Sequence, residues 1–180
     1  MKNLVTVLCM VVSLSAISQT TINPDTVCAN ALAEQYFVTN TPTSTYNWTA
    51  TGGGSIIQTG QGTNTITVDW GGVSALFSNA ISVTETSASG CPGAPILLDV
   101  FVLSLSGSAI GPYCPGDPLA TLTGAPIGGT WSGTGVIGNN FDPAAAGVGN
   151  FVLTYSLSGC LTTINVTVNS GPVTGPIQHF

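Results

Sequence analysis

The chain has 180 residues, and only 4% of them are charged, where a soluble domain usually carries about a quarter. Its one basic side chain is Lys2, set against seven acids. With no Lys or Arg beyond residue 2 to release counterions from phosphates, nucleic acid and anionic membrane surfaces are poor partners. The same absence excludes a lysine Schiff base and an arginine clamp.

Lys2 precedes an apolar run from Leu4 to Leu14, and Ala16-Ile17-Ser18 places small residues at −3 and −1 of a cleavage site before Gln19. Residues 1–18 therefore read as a secretory signal peptide. The run is short for a bilayer span, so no direct membrane span is expected after cleavage. Loss of Lys2 takes the formal charge from −6 to −7. Cys9 leaves with the leader. Cys28, Cys91, Cys114 and Cys160 remain as an even set in an exported protein, which reads as disulfides. Four cysteines permit three connectivities. With no C-x-x-C pair and one histidine, no metal and no cofactor is expected.

From Gln19 the chain shows the same order twice. Cys28, then Trp48 before Gly52-Gly53-Gly54, then Gly90-Cys91 and a closing strand to Leu103 make up residues 19–103. After a small, polar linker at 104–111, residues 112–170 run Tyr113-Cys114, Trp131 before Ser132-Gly133, and Gly159-Cys160 before a closing strand to Val168. This repeat favours Cys28–Cys91 and Cys114–Cys160, one disulfide in each module.

Within the first module Tyr46-Asn47-Trp48-Thr49-Ala50 alternates with Tyr46, Trp48 and Ala50 on one face, and Thr65–Trp70 places Ile66, Val68 and Trp70 inward. Ser55–Gln58, Ala80–Thr84 and Ile96–Leu103 supply further strands. The second module offers Leu119–Leu122, Thr130–Ser132, Asn150–Ser156 and Thr162–Val168. Asp142-Pro143-Ala144-Ala145-Ala146-Gly147 suits one helical turn, since Pro is tolerated at a helix start. No segment sustains a helical period. Short strands punctuated by Gly, Pro and Asn predict an all-β chain of two tandem antiparallel β-sandwiches.

Three stretches carry a resemblance. Gly129-Thr130-Trp131-Ser132-Gly133-Thr134-Gly135-Val136 and Phe141-Asp142-Pro143-Ala144-Ala145-Ala146-Gly147 resemble the immunoglobulin-like repeats of secreted and adhesin proteins of Bacteroidota. Tyr46-Asn47-Trp48-Thr49 and Val68-Asp69-Trp70-Gly71 are similar to the PKD-like domains of the same proteins, although Trp48 is not followed by the usual Phe-Gly-Asp-Gly pattern. Residues 171–180, Gly-Pro-Val-Thr-Gly-Pro-Ile-Gln-His-Phe, resemble the ending of short PKD-like secreted proteins of Flavobacteria. Those are associated with PorP/SprF-type outer-membrane proteins of gliding motility and type IX secretion. The resemblance implies a partner-binding tail in which Pro172, Pro176, Ile177, His179 and Phe180 dock on an outer-membrane β-barrel protein of that type. It places the protein in the periplasm, at the outer membrane or on the cell surface. No longer C-terminal sorting domain is recognisable.

Catalytic constellations are absent from the pattern. His179 is the one histidine, next to the chain's end, where a general base is not held in place. The acids Asp25, Glu34, Asp69, Glu85, Asp99, Asp117 and Asp142 are scattered, and no enzyme activity is expected. Trp48, Trp70 and Trp131 have two readings: a glycan-stacking platform, which would make this a carbohydrate-binding or adhesin module, or indoles packed on disulfides inside each sandwich, which the strand alternation favours. Asp25-Thr26-Val27 resembles a bacterial O-glycosylation acceptor, with Thr26 as the modified residue. Finally, the best strands are almost uncharged Thr/Val/Ile ladders with no Lys to guard an edge. Either loops cover the edges, or an edge is left to receive a partner strand, for which the tail is a candidate donor. A self-assembling surface subunit is a third reading.

Overall fold

The computed structural model describes residues 24–173 and 175–179, so the signal-peptide region at 1–18 and Phe180 lie outside the described residues. The chain divides into two compact units between Leu103 and Ser104.

Unit 1 holds β1 (Asp25–Cys28), β2 (Glu34–Phe37), β3 (Thr45–Ala50), β4 (Ile56–Thr59), β5 (Thr65–Asp69), β6 (Ala75–Thr86) and β7 (Ile96–Leu103). One sheet has the order β1-β7-β6-β3 and the other β2-β5-β4. Strand alternation decides which side chains lie between them: Tyr46 and Trp48 from β3, Ile66 and Val68 from β5, and Val100 and Val102 from β7 are all buried. Burial of six such side chains supplies the main driving force for this unit, since full burial of one large apolar side chain is worth about 1.5–3 kcal/mol. β6 runs for 12 residues through an irregularity between Phe77 and Ile81. There Asn79 has φ 54° and its N–H donates to Asp99 Oδ1 at 2.6 Å, so a carboxylate on β7 satisfies the backbone that the bulge frees from the ladder.

Unit 2 holds β8 (Ser106–Gly107), β9 (Ala120–Thr121), β10 (Gly124–Ala125), β11 (Thr130–Ser132), β12 (Val136–Ile137), β13 (Asn140–Phe141), α1 (Pro143–Ala146), β14 (Gly149–Leu157) and β15 (Cys160–Val168). The sheets are β11-β14-β15, β12-β13-β9 and the small pair β10-β8. The stretch expected as a linker thus contains a strand, because Ser106 and Gly107 pair with Ala125 and Gly124. Asp142 caps the helical turn by accepting from the N–H groups of Ala144 (2.9 Å) and Ala145 (3.2 Å), the role a short acidic side chain plays at a helix start. The core gathers Leu122, Trp131, Phe141, Leu153, Tyr155, Ile164, Val166 and Val168.

Pairing is mostly antiparallel, but each unit also contains a parallel contact. β1 runs parallel to β7, with Cys28 opposite Leu103, and Tyr113 makes a parallel bridge to Val168. These registers overturn the expected disulfides. Cys28 lies at the C-terminal end of β7, whereas Cys91 precedes its N-terminal end in a turn where Cys91 N–H donates to Ser87 Oγ. Cys114 follows Tyr113 at the C-terminal end of β15, and Cys160 is that strand's first residue. Strands of this length separate such positions by roughly 23–27 Å, and a disulfide needs Cα atoms within about 7 Å. The pairings Cys28–Cys91 and Cys114–Cys160 therefore do not form. Cys28 is disulfide-bonded, as is Cys160, and Cys114 is an exposed thiol.

That correction has a direct test. Cys114 is expected to react with a maleimide on the native chain without prior reduction, and Cys114→Ser is expected to remove that label, as mapped by peptide mass spectrometry. Recovery of a disulfide-linked Cys114–Cys160 peptide pair would reinstate the pairing that the repeat suggested.

Candidate functional site

The last ladder of unit 2 ends where Tyr113 holds it: Tyr113 N–H donates to Thr167 O (2.9 Å) and Asn169 N–H to Tyr113 O (2.7 Å). Beyond Asn169 the described residues form neither helix nor strand. Pro172, Pro176, Ile177 and His179 are all exposed, and the two aliphatic side chains are almost wholly in solvent, Val173 at 98% and Ile177 at 100%. Large aliphatic side chains this open to water are a surface that a partner can cover at a gain of free energy. The tail carries no Asp, Glu, Lys or Arg, so its transfer to an apolar groove does not require desolvating a side chain of those types.

The three indoles lie elsewhere. Trp48 and Trp70 are 3% exposed and Trp131 8%, so none offers a ring face on which a sugar can stack. Each is held by its surroundings. Trp48 Nε1 donates to Thr63 O at 2.8 Å, and Trp70 Nε1 donates to Tyr36 OH at 3.2 Å across an edge-to-face pair. Trp131 packs on Tyr155 with ring centroids 5.1 Å apart. Trp70 and Trp131 thus pack on tyrosine rings, where the reading of buried indoles expects disulfides. Burial, with Asp25 and then Glu34 nearby, pushes the Tyr36 hydroxyl well above the usual tyrosine range.

Four of the acids have local structural work. Asp69 accepts from Ala33 N–H and Gln58 Nε2, both at 2.8 Å; Asp99 serves the β6 bulge; Asp117 accepts from Cys114 N–H (2.8 Å); Asp142 caps α1. A carboxylate occupied as a hydrogen-bond acceptor for backbone is a capping group. Among the described residues no three of His, Cys, Asp and Glu come together as metal ligands. No helix of the described residues is long and apolar enough to cross a membrane. Thr26 is exposed on β1, opposite Phe101.

One feature of unit 1 has no signal in the sequence. A cleft of about 130 Å³ opens between the sheets, lined by Tyr36, Phe37 and Val38 at β2 and by Ile96, Leu97 and Leu98 on β7. Phe37 is 74% exposed, Ile96 51% and Leu97 44%. A second hollow of about 180 Å³ in unit 2 lies over Leu122, Gly124, Gly129 and Tyr155, with Ile127 exposed at its rim.

Residues 13–98 match the family model of a PKD-like domain. Among solved structures, the chain is similar to fibronectin(III)-like modules of CbhA from Clostridium thermocellum, with 11% identity over 90% of this chain and 98% of that one and a TM-score of 0.34. It is also similar to the insect immune protein hemolin (11% identity, 84% of this chain, 46% of that one, TM-score 0.39). A third likeness is to the Drosophila OTK extracellular domains 3–5 (12%, 81%, 58%, TM-score 0.34). The chain spans about half the length of those last two structures. No curated protein matches it. The fold of the described residues is all-β apart from the single helical turn α1.

Proposed function

We propose that this chain is an exported, non-enzymatic surface module that docks on an outer-membrane β-barrel partner through its C-terminal peptide. The observation that carries the reading is the tail itself: past the last ladder of unit 2, Val173 and Ile177 stand fully in solvent with no ladder or core contact to explain them. The PKD-like and immunoglobulin-like architecture supports the coarser half of the reading, since such domains are surface or adhesion-type modules. The disulfide-bonded Cys28 and Cys160 support an extracellular or periplasmic location, because such bonds persist in oxidising compartments.

The mechanism is recognition of a short linear segment. Pro172 and Pro176 restrict the backbone and so reduce the entropy lost on binding. Val173 and Ile177 supply apolar anchors, and His179 and Phe180 close the motif. The preferred partner is of the PorP/SprF type, which ties the module to gliding motility or type IX secretion. Units 1 and 2 serve as the body that is displayed.

The test is an affinity capture from membranes, comparing the exported chain with one ending at Ser170. Recovery of an outer-membrane β-barrel by the intact chain and its loss with the shortened one is the expected result. Equal recovery by both, or none by either, overturns the reading.

A further inference from the structure

β1 covers only half of β7. It pairs with Val100–Leu103, and Pro24, exposed and without an N–H, stands immediately before Asp25, where that ladder begins. The N-terminal half of β7, Ile96–Asp99, is bonded to β6 on one side through Ile96, Leu97 and Leu98 and has no strand on its other side among the described residues. The apolar cleft opens at that gap, between β7 and the edge strand β2 of the facing sheet. The usual guards of an edge are missing. The cleft lining carries no charge, and Asp99, the one acid on this half, has its carboxylate turned to Asn79 N–H.

The tail has the complementary pattern. In an extended strand the N–H and C=O of successive residues point to opposite sides, and side chains alternate between faces with the same period of two. Pro172 and Pro176 share one parity, so both missing donors fall on one side of the strand. Val173, Gly175 and Ile177 share the other parity, and every one of them keeps its N–H. The tail can therefore hydrogen-bond an edge on one side only, and on its other side the prolines block a further strand. The same parity puts the two exposed anchors, Val173 and Ile177, on one face about 13 Å apart, a reach that matches the open four-residue edge. Tail and cleft are both apolar, and the ten residues after Ser170 extend to roughly 33 Å, long enough to lie across the gap.

We propose that the open half of β7, with the cleft beside it, accepts the C-terminal tail of a second copy of this chain as an added strand. Donor and acceptor are different surfaces, so the contact is heterologous and copies join head to tail in an open series. The proposal uses the same exposed tail as the docking reading but does not depend on an outer-membrane partner.

Light scattering coupled to size exclusion, run on the exported chain at rising concentration, is expected to show masses growing in monomer steps. The chain ending at Ser170 and the Leu97→Lys variant are each expected to stay monomeric, and mixing the two is expected to give a dimer and no longer series, because the first keeps the acceptor edge and the second keeps the tail. Parity gives the sharper arm. A labelled peptide of residues 171–180 is expected to bind the chain ending at Ser170. Gly175→Pro in that peptide, which removes a donor on the pairing side, is expected to weaken binding at least tenfold more than Thr174→Pro, which removes one on the blocked side. A monomer at every concentration, or equal losses from the two proline substitutions, overturns the proposal. Capture of a membrane partner by a chain that never self-associates also overturns it, while leaving the docking reading in place.

Discussion

Phe141→Ala is expected to lower the stability of unit 2 by about 3–5 kcal/mol, the range for deleting a fully buried aromatic side chain. Phe141 is 0% exposed on β13, which is a strand of only two residues. Its ring meets Tyr113 at 5.9 Å and Phe151 at 6.4 Å, so it joins the segment that holds the end of β15 to the long β14 hairpin. The strand has too little ladder to hold its place without that side chain, and collapse of its neighbours into the cavity is limited by Tyr113, which the backbone of Thr167 and Asn169 pins in position. Denaturant titration followed by tyrosine and tryptophan fluorescence checks this. Two units need not unfold together, so the transition of unit 2 is to be resolved through Trp131, in a background where Trp48 and Trp70 are replaced by Phe. A loss below about 1 kcal/mol would mean that the ring is not the keystone of this unit.

What was legible in the sequence was what alternates. Tyr46 and Trp48, Ile66 and Val68, and Val166 and Val168 announce half-buried strands because one face of each meets a core and the other meets water. The closing strand Ile96–Leu103 was read with both of its limits. Of the two-residue strands, β9 falls within the expected Leu119–Leu122, whereas β8, β10, β12 and β13 have no period to read and pair with other strands of two residues. β6 was seen only in part, since its bulge interrupts the alternation between Phe77 and Ile81. The disulfides failed for a different reason. Spacing reports the length of a loop, but not at which end of a strand each cysteine sits, and that depends on the sense in which β1 and Tyr113 pair. The cleft was not legible either, because it exists only where β1 stops short of covering β7.

The turn that joins β4 to β5 carries the other large effect. Gly60→Ala is expected to cost unit 1 about 2–5 kcal/mol, from two sources that act together: φ of 89°, which an L side chain adopts at about 1–2 kcal/mol, and forced overpacking worth about 1–3 kcal/mol. A Cβ at Gly60 would lie 2.0 Å from Thr65 O and 2.9 Å from Ile66 Cα, both backbone atoms of the strand that carries the buried Ile66 and Val68. Neither can give way without moving β5. The turn also holds the neighbouring sheet: Gln61 accepts from Trp48 N–H and donates to Trp48 O, both at 2.8 Å, and Thr63 O accepts from the Trp48 indole. Displacing Gly60 therefore loosens the side chain that fills the centre of the unit. Gly62→Ala is the control, because φ there is 92° but a Cβ meets nothing within 4 Å. It is expected to cost only the conformational part, about 1–2 kcal/mol. Thermal or denaturant unfolding monitored through Trp48 separates the two, and equal losses would show that close backbone approach at Gly60 has no part in holding the turn.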